Sequence, residues 1–175
     1  MIVKREIVDA LKQMAGKYPI IALTGPRQSG KTTLLKEMFS HYKYVNLEEP
    51  DRRNFAETDP RNFLKQYDKL FIFDEVQRVP HLFSYIQSVV DDSGLMGQFV
   101  FSGSQNFHLM QNITQSLAGR VAIFRLFPFD FQELKNADIL QQEYEEYLIK
   151  GFYPAIYDRG IKPSGAECGA GGAME

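Results

Sequence analysis

A layered α/β fold around a mainly parallel sheet is predicted by three observations. Short apolar runs recur along the chain at residues 20–24, 44–47, 70–73, 99–101 and 121–124. The first, 20–24, is a continuous stretch without the alternation of a strand that has one wet face, so it suits a strand covered on both sides, and the other strand-like runs repeat the pattern. Amphipathic helical segments separate them, which is the pattern of β-α units feeding a parallel sheet.

The elements follow in order. Val3, Ile7, Ala10, Leu11 and Met14 recur at helical spacing, with Lys4, Arg5, Asp9 and Lys12 opposite and Gly16 as the stop, predicting a helix over 2–15. The strand 20–24 comes next, then a helix over 32–40 and the strand 44–47. Asp59-Pro60 reads as an N-cap with proline at the first helical position, opening a helix over 59–67. After the strand 70–73, Leu82, Ile86, Val89 and Val90 form the stripe of a helix over 80–91. Leu109 or Met110, Ile113 and Leu117 form another, over 107–117, between the strands at 99 and 121. Asp130 with Glu133 has the form of a capping box ahead of a helix to about residue 140, and 143–150 reads as helical again. From Pro163 onward Gly165, Gly169, Gly171 and Gly172 crowd a tail with almost no apolar anchor, expected to be disordered. Residues 1–160 are thus expected to form one domain and 161–175 a Gly/Ala-rich tail. No internal repeat is visible.

Composition narrows the function classes. The 175 residues suit one compact domain, and 20 basic against 22 acidic side chains leave a formal charge of −2. That balance argues against a broad surface for coating nucleic acid, while leaving room for a local basic patch. Cys168 is the sole cysteine, so an internal disulfide and a cysteine-based metal site are both excluded, which fits a reducing compartment. No apolar run approaches the length of a membrane span, and the charged start, residues 1–5, lacks a signal peptide's apolar stretch. No membrane partner and a cytoplasmic location are expected.

The strongest local signal is Gly25-Pro26-Arg27-Gln28-Ser29-Gly30-Lys31-Thr32, followed by Thr33. It fits G-x-x-x-x-G-K-[ST] in the right setting, after a strand and before a helix. Glycines let the backbone turn tightly and approach an anion, and the N–H groups of the loop and helix start face the phosphates. Lys31 is expected to supply a full charge to the β- and γ-phosphates, and the Thr32 hydroxyl to ligate Mg²⁺. Arg27 either shields phosphate or is solvated.

The run at 70–73 ends directly in Asp74-Glu75. Two carboxylates at the end of a buried strand call for a cation, and strand C-terminal ends line the ligand crevice of a parallel sheet. Asp74 is expected to meet the Mg²⁺ held by Thr32, and Glu75 to orient or activate the attacking water. The run at 99–101 ends in Ser102-Gly103-Ser104-Gln105-Asn106, where Ser104 and Gln105 are candidates to bond the γ-phosphate or the water. A capped helix start using Ser104 or Asn106 is the alternative. Arg120 precedes the last strand, at the end of the sheet away from the chain's own nucleotide, so in a catalytic role it would act on a neighbour's nucleotide as an arginine finger. An ordinary structural arginine is the alternative there. His41, His81 and His108 are scattered, and the 14 phenylalanines suit packing better than base stacking.

Taken together and in order, GPRQSGKTT, LFIFDEVQ, FSGSQNF and SLAGRVAIFRLFPF resemble the N-terminal ATPase domain of a large group of bacterial and archaeal AAA+-type ATP-binding proteins. Those proteins carry a second domain of unknown function after the ATPase. The resemblance covers about residues 1–157. It implies a three-layer αβα P-loop NTPase with sheet order 5-1-4-3-2, ATP as the nucleotide, and Mg²⁺. It supports Lys31, Thr32, Asp74 and Glu75 by direct match, and less directly Ser104 or Gln105 as the γ-phosphate sensor and Arg120 as a finger, which would make the protein a homo-oligomer. Gln77, within DEVQ, belongs to the pattern without a derivable role. Phe152-Tyr153-Pro154 resembles the start of the second domain, whereas 162–175 departs from the pattern. That departure implies a truncated or non-native end without the usual lid and its sensor arginine. The leading expectation is an Mg²⁺-dependent ATPase that converts ATP binding and hydrolysis into conformational change. A slow-turnover ATP/ADP-controlled switch that signals to a partner is the second reading, separable by turnover. A small-molecule kinase, which needs an acceptor pocket and an arginine-rich lid, is the weakest. The client that the cycle acts on is not legible.

Overall fold

The computed structural model describes residues 3–67, 69–104, 115–139 and 151–158. They fall in two compact units, one within Glu6–Phe127 and the other drawn from Met1–Arg5 and Pro128–Glu175.

In the larger unit the elements run α1 (Ile7–Ala15), β1 (Ile20–Gly25), α2 (Lys31–Met38), β2 (Lys43–Asn46), α3 (Pro50–Thr58), α4 (Pro60–Gln66), β3 (Phe71–Asp74), α5 (Leu82–Ser93), β4 (Phe99–Ser104) and β5 (Val121–Arg125). A 3₁₀ turn, Val76–Arg78, joins β3 to α5. The strands form one parallel sheet in the order β2-β3-β4-β1-β5. This is the expected order read from the other edge.

Alternation along the strands builds the layers. Ile20 and Ala22 of β1 join Phe71 and Phe73 of β3 and Phe99 and Phe101 of β4 on one face, packed on Phe63 and Leu64 of α4 and Leu82, Phe83 and Ile86 of α5. Ile21 and Leu23, Ile72 and Val100 point the other way, onto Leu11 of α1 and Leu34 and Leu35 of α2. Every residue of β1 and β3 is buried, which is why these strands read as unbroken apolar runs. The result is a three-layer αβα unit.

Because all strands are parallel, the segments that follow them gather at one edge of the sheet. Gly25 at the end of β1 pairs in register with Ser104 at the end of β4, and Asn46 of β2 with Asp74 of β3. β1 is flanked by β4 and β5, so the chain leaves β1 for one edge of the sheet and returns to its other side, the arrangement that opens a ligand crevice.

In the smaller unit Val3, Phe129 and Leu134 form a separate apolar cluster with Phe152 and Tyr157 beside it. The capping box is present: Glu133 N–H donates to Asp130 Oδ1 at 2.7 Å and Asp130 N–H to Glu133 Oε2 at 3.2 Å, opening α6 (Phe131–Asn136). The Arg5 guanidinium donates to both Glu133 carboxylate oxygens, at 2.9 and 3.0 Å, with both side chains buried. A short helix, α7 (Pro154–Asp158), ends the described chain.

Several expectations shift. The first helix begins at Ile7 instead of residue 2, because Val3 and Arg5 belong to the smaller unit, where the Phe129 cluster and Glu133 bind them. α3 was not anticipated: only Ala56 is fully buried in it, so no apolar stripe announces it, although Pro50 stands at its first turn. The helix expected to reach about residue 140 ends at Asn136. Most of the segment 107–117, all of 143–150, and the tail 161–175 lie outside the described residues. β4 runs on to Ser104, three residues past the expected apolar run, and the remaining strands and helices sit within two residues of their expected ends.

Candidate functional site

The phosphate loop is shaped by its glycines. Gly25 has φ +151°, and a Cβ there would lie 2.1 Å from the Leu126 carbonyl oxygen. That strand end is closed by Leu126 N–H donating to Thr24 O at 2.7 Å and by the Thr24 hydroxyl donating to Phe124 O at 3.0 Å. Backbone, not a movable side chain, fills the space, so only glycine fits. Gly25→Ala is expected to lower stability by more than about 2 kcal/mol, a fall in Tm of about 4–8 °C at this chain length, measurable by thermal denaturation. Gly30, at φ +91°, caps the start of α2, and Gln28 also takes a left-handed conformation. The Ser29 hydroxyl donates to Pro26 O at 2.9 Å, holding the turn. Arg27, Gln28 and Thr33 are exposed, and Pro26 and Gly30 half-buried.

Lys31, the first residue of α2, is buried, and its ammonium donates to Gly25 O at 3.0 Å and Pro26 O at 2.7 Å. Burial lowers its pKa below that of an ordinary lysine, and the positive charge of Arg27 acts in the same direction. The carboxylates of Glu75 and Asp74 oppose that shift. A cation thus sits where the loop closes, within electrostatic reach of both acids.

Asp74 is buried at the end of β3, and three donors set its carboxylate. Thr32 Oγ1 donates to Oδ2 at 2.9 Å, Tyr44 Oη to the same oxygen at 2.5 Å, and Glu75 N–H to Oδ1 at 3.1 Å. The first of these brings the end of the phosphate loop onto a strand two places away in the sheet. The structure therefore unites Lys31, Thr32, Asp74 and Glu75 at one edge.

Tyr44, on β2, was missed at the sequence level, where it read as one more apolar strand residue. Burial raises its phenol pKa, and the hydrogen bond and negative charge of Asp74 raise it further, so the hydroxyl stays a donor. Lys36 of α2 lies over its ring, 3.7 Å from the centroid, a cation–π contact that helps hold the ring. The only sequence hint was a tyrosine, which has a hydroxyl to place, in a strand flanking the acidic pair.

Glu75 is half-buried and adopts φ +53°, ψ +40°, a left-handed conformation unfavourable for a residue with a Cβ. Gln77 Nε2 donates to Glu75 Oε2 and, at 3.1 Å, to Ser104 Oγ. Ser104 is thus brought to the acidic pair, whereas Gln105 lies outside the described residues. Arg120 is elsewhere. Its carbonyl accepts from Ile20 N–H at the start of β1, the opposite end of the parallel strands from the loop. Its guanidinium forks onto Asp91, at 2.6 Å to Oδ1 and 2.8 Å to Oδ2, and a third contact of 3.0 Å goes to Ala118 O. Within its own chain Arg120 is occupied in a bidentate pair.

A buried lysine at a helix start, a glycine-shaped loop and two acids at the end of a strand two places away can hold a phosphate chain and place a base beside it. A family model described as an AAA domain matches residues 17–135. Uncharacterized proteins of Mycobacterium bovis and Mycobacterium tuberculosis are each 33% identical over 129 residues, covering 72% of this chain and 29% of theirs. The chain thus spans less than a third of the length of these curated relatives. Its fold is similar to AMPPCP-bound DnaA from Aquifex aeolicus, with TM-score 0.60 and 15% identity over 90% of this chain and 58% of that one. The Walker-type ATPase of Pyrococcus abyssi is similar with TM-score 0.56 and 16% identity, over 91% and 69%. A signal transduction ATPase with a tetratricopeptide repeat sensor, from Pyrococcus horikoshii, is similar with TM-score 0.55 and 14% identity, over 95% and 31%. At these identities the likeness is one of fold.

Proposed function

The chain belongs to the AAA domain family, and on that premise we propose that it binds ATP with Mg²⁺ and hydrolyses it, coupling nucleotide state to conformational change. The observation that carries this reading is the Thr32–Asp74 hydrogen bond, 2.9 Å long, which joins the end of the phosphate loop to the acidic strand end.

The donor set fits Mg²⁺. Thr32 and Asp74 offer hard oxygens side by side, and no cluster of three or more His, Cys, Asp or Glu side chains suited to a metal is found among the described residues. Mg²⁺ takes one or two protein oxygens and completes its shell with phosphate and water, unlike metals that need a full protein cage. When bound it supplies neutralisation of charge developing on the phosphate oxygens.

The loop N–H groups and the start of α2 hold the phosphate chain, and Lys31 turns its charge toward the β- and γ-phosphates. Glu75 accepts a proton from a water as that water's oxygen bonds to the γ-phosphorus. The bond from γ-phosphorus to the β–γ bridging oxygen breaks, and ADP leaves with that electron pair. Ser104 lies at the side of this reaction as a donor to the γ-phosphate.

The test is Mg²⁺-dependent release of phosphate from ATP by the purified chain, with equilibrium binding of labelled ATP measured alongside. Binding with metal-dependent turnover is expected; an absence of ATP binding would sink the reading. Tyr44→Phe supplies a finer check. Loss of the phenol hydroxyl removes one of the donors that orient Asp74, so the Mg²⁺ concentration for half-maximal turnover is expected to rise about 10-fold, as when other outer-sphere partners of a metal ligand are removed. ATP affinity without Mg²⁺ should stay at the wild-type value. Mn²⁺ binding followed by electron paramagnetic resonance reads the same loss without turnover.

A further inference from the structure

We propose that Gln77 is a positioning residue: its side-chain amide ties the carboxylate of Glu75 to Ser104 at the end of β4, setting the water-activating group and the γ-phosphate donor as one unit. The inference rests on the hydrolytic reading of the site.

Chain geometry puts the amide there. Glu75 takes its left-handed conformation, and the chain then enters the 3₁₀ turn Val76–Arg78. Val76 and Val79, on either side of Gln77, are buried in the core beneath α5, so the turn is pinned from below. Residues two apart do not face each other along a regular helix. Here the reversal at Glu75 folds Gln77 back over it, and one nitrogen reaches both Glu75 Oε2 and Ser104 Oγ. The strained backbone at Glu75 thus has a geometric consequence.

Chemistry settles the orientation of the amide. An ionised carboxylate only accepts hydrogen bonds, so the NH₂ end of Gln77 must face Glu75. Gln77 Oε1 then points elsewhere, and it is buried with no hydrogen-bond partner among the described residues. Such an atom is costly to keep, so the stability of the fold does not by itself account for the amide's placement. What the amide holds is Glu75 and the end of β4, through one nitrogen.

The experiment compares wild type, Glu75→Gln, Gln77→Leu and Gln77→Glu in single-turnover hydrolysis, labelled-ATP binding and a pH profile. Gln77→Leu keeps the volume and removes both hydrogen-bond functions. It is expected to lower kcat by about 10- to 100-fold with ATP affinity unchanged, in the range of a misplaced general base. Gln77→Glu sets a second negative charge against Glu75, which disfavours ionisation and moves the acid limb of the kcat profile to higher pH. A merely structural role would leave that limb in place. Wild-type kcat in Gln77→Leu, or an unmoved acid limb in Gln77→Glu, overturns the proposal and leaves the hydrolytic reading standing. A higher kcat in Gln77→Leu also overturns it, since the amide would then be a brake. Turnover that survives Glu75→Gln undamaged removes Glu75 as the base and the proposal with it, whereas an absence of ATP binding or phosphate release in the wild type removes the hydrolytic reading itself.

Discussion

Replacing Lys31 with alanine is expected to abolish useful ATP binding. The side chain is buried at the start of α2, and its ammonium holds Gly25 O and Pro26 O, whereas Arg27 in the same loop is exposed. Removing one partner of a desolvated, hydrogen-bonded charge pair costs about 2–5 kcal/mol, which is about 30-fold to a few thousand-fold in affinity. Titration with a fluorescent ATP analogue reads this directly. The fold should survive, because the loop's shape comes from Gly25, Gly30 and the Ser29–Pro26 bond. A pH series adds a sign. Burial lowers the Lys31 pKa, so the side chain of the free protein loses its proton at lower pH than an ordinary lysine. ATP affinity is then expected to decline, as pH rises, before the usual lysine range is reached. An Lys31→Ala variant that binds ATP like wild type would remove the loop from the site.

Glu75→Gln is expected to separate binding from chemistry. The substitution keeps shape and nearly keeps volume, and Lys31, Thr32 and Asp74 remain in place. ATP affinity should hold or improve slightly, since one negative charge near the phosphates is gone. Turnover should fall by about 10²- to 10⁴-fold, the usual contribution of a positioned general base. Single-turnover hydrolysis with binding measured on the same sample decides it. Slow wild-type turnover with nanomolar nucleotide retention would instead favour the switch reading, in which the bound state and not the cycle carries the signal.

Sequence reading reached far where function is written locally. The phosphate loop, the acidic pair and the capping box at Asp130 each consist of neighbouring residues whose spacing states the geometry. The same holds for the inner strands β1 and β3, where residues buried on both faces leave unbroken apolar runs, while the edge strands β2 and β5 are only partly covered. It failed where a residue's partner is distant in sequence or where local pattern was misleading. Val3 and Ile7 share helical spacing, yet Val3 packs with Phe129 and Leu134 in another unit. α3 buries too little of itself to show a stripe. Tyr44 looked like filler in a strand because the carboxylate it holds lies 30 residues on.

The order of residues by itself determined the α/β class and the chemical inventory of the site: a loop that can wrap phosphate, a cation to neutralise it and carboxylates to follow. Helical and extended periodicities, glycine's backbone freedom and charge beside apolar runs are short-range properties, so they are legible without coordinates. Only the tertiary structure decided which groups meet. Parallel pairing of β1, β3 and β4 brings Gly25, Asp74 and Ser104 to one edge, puts Tyr44 on Asp74 and Gln77 between Glu75 and Ser104, and holds Arg120 on Asp91 at the other end. Those contacts join residues far apart along the chain, and hydrogen bonds of 2.5 to 3.1 Å exist only once a sheet fixes the distances between its strands.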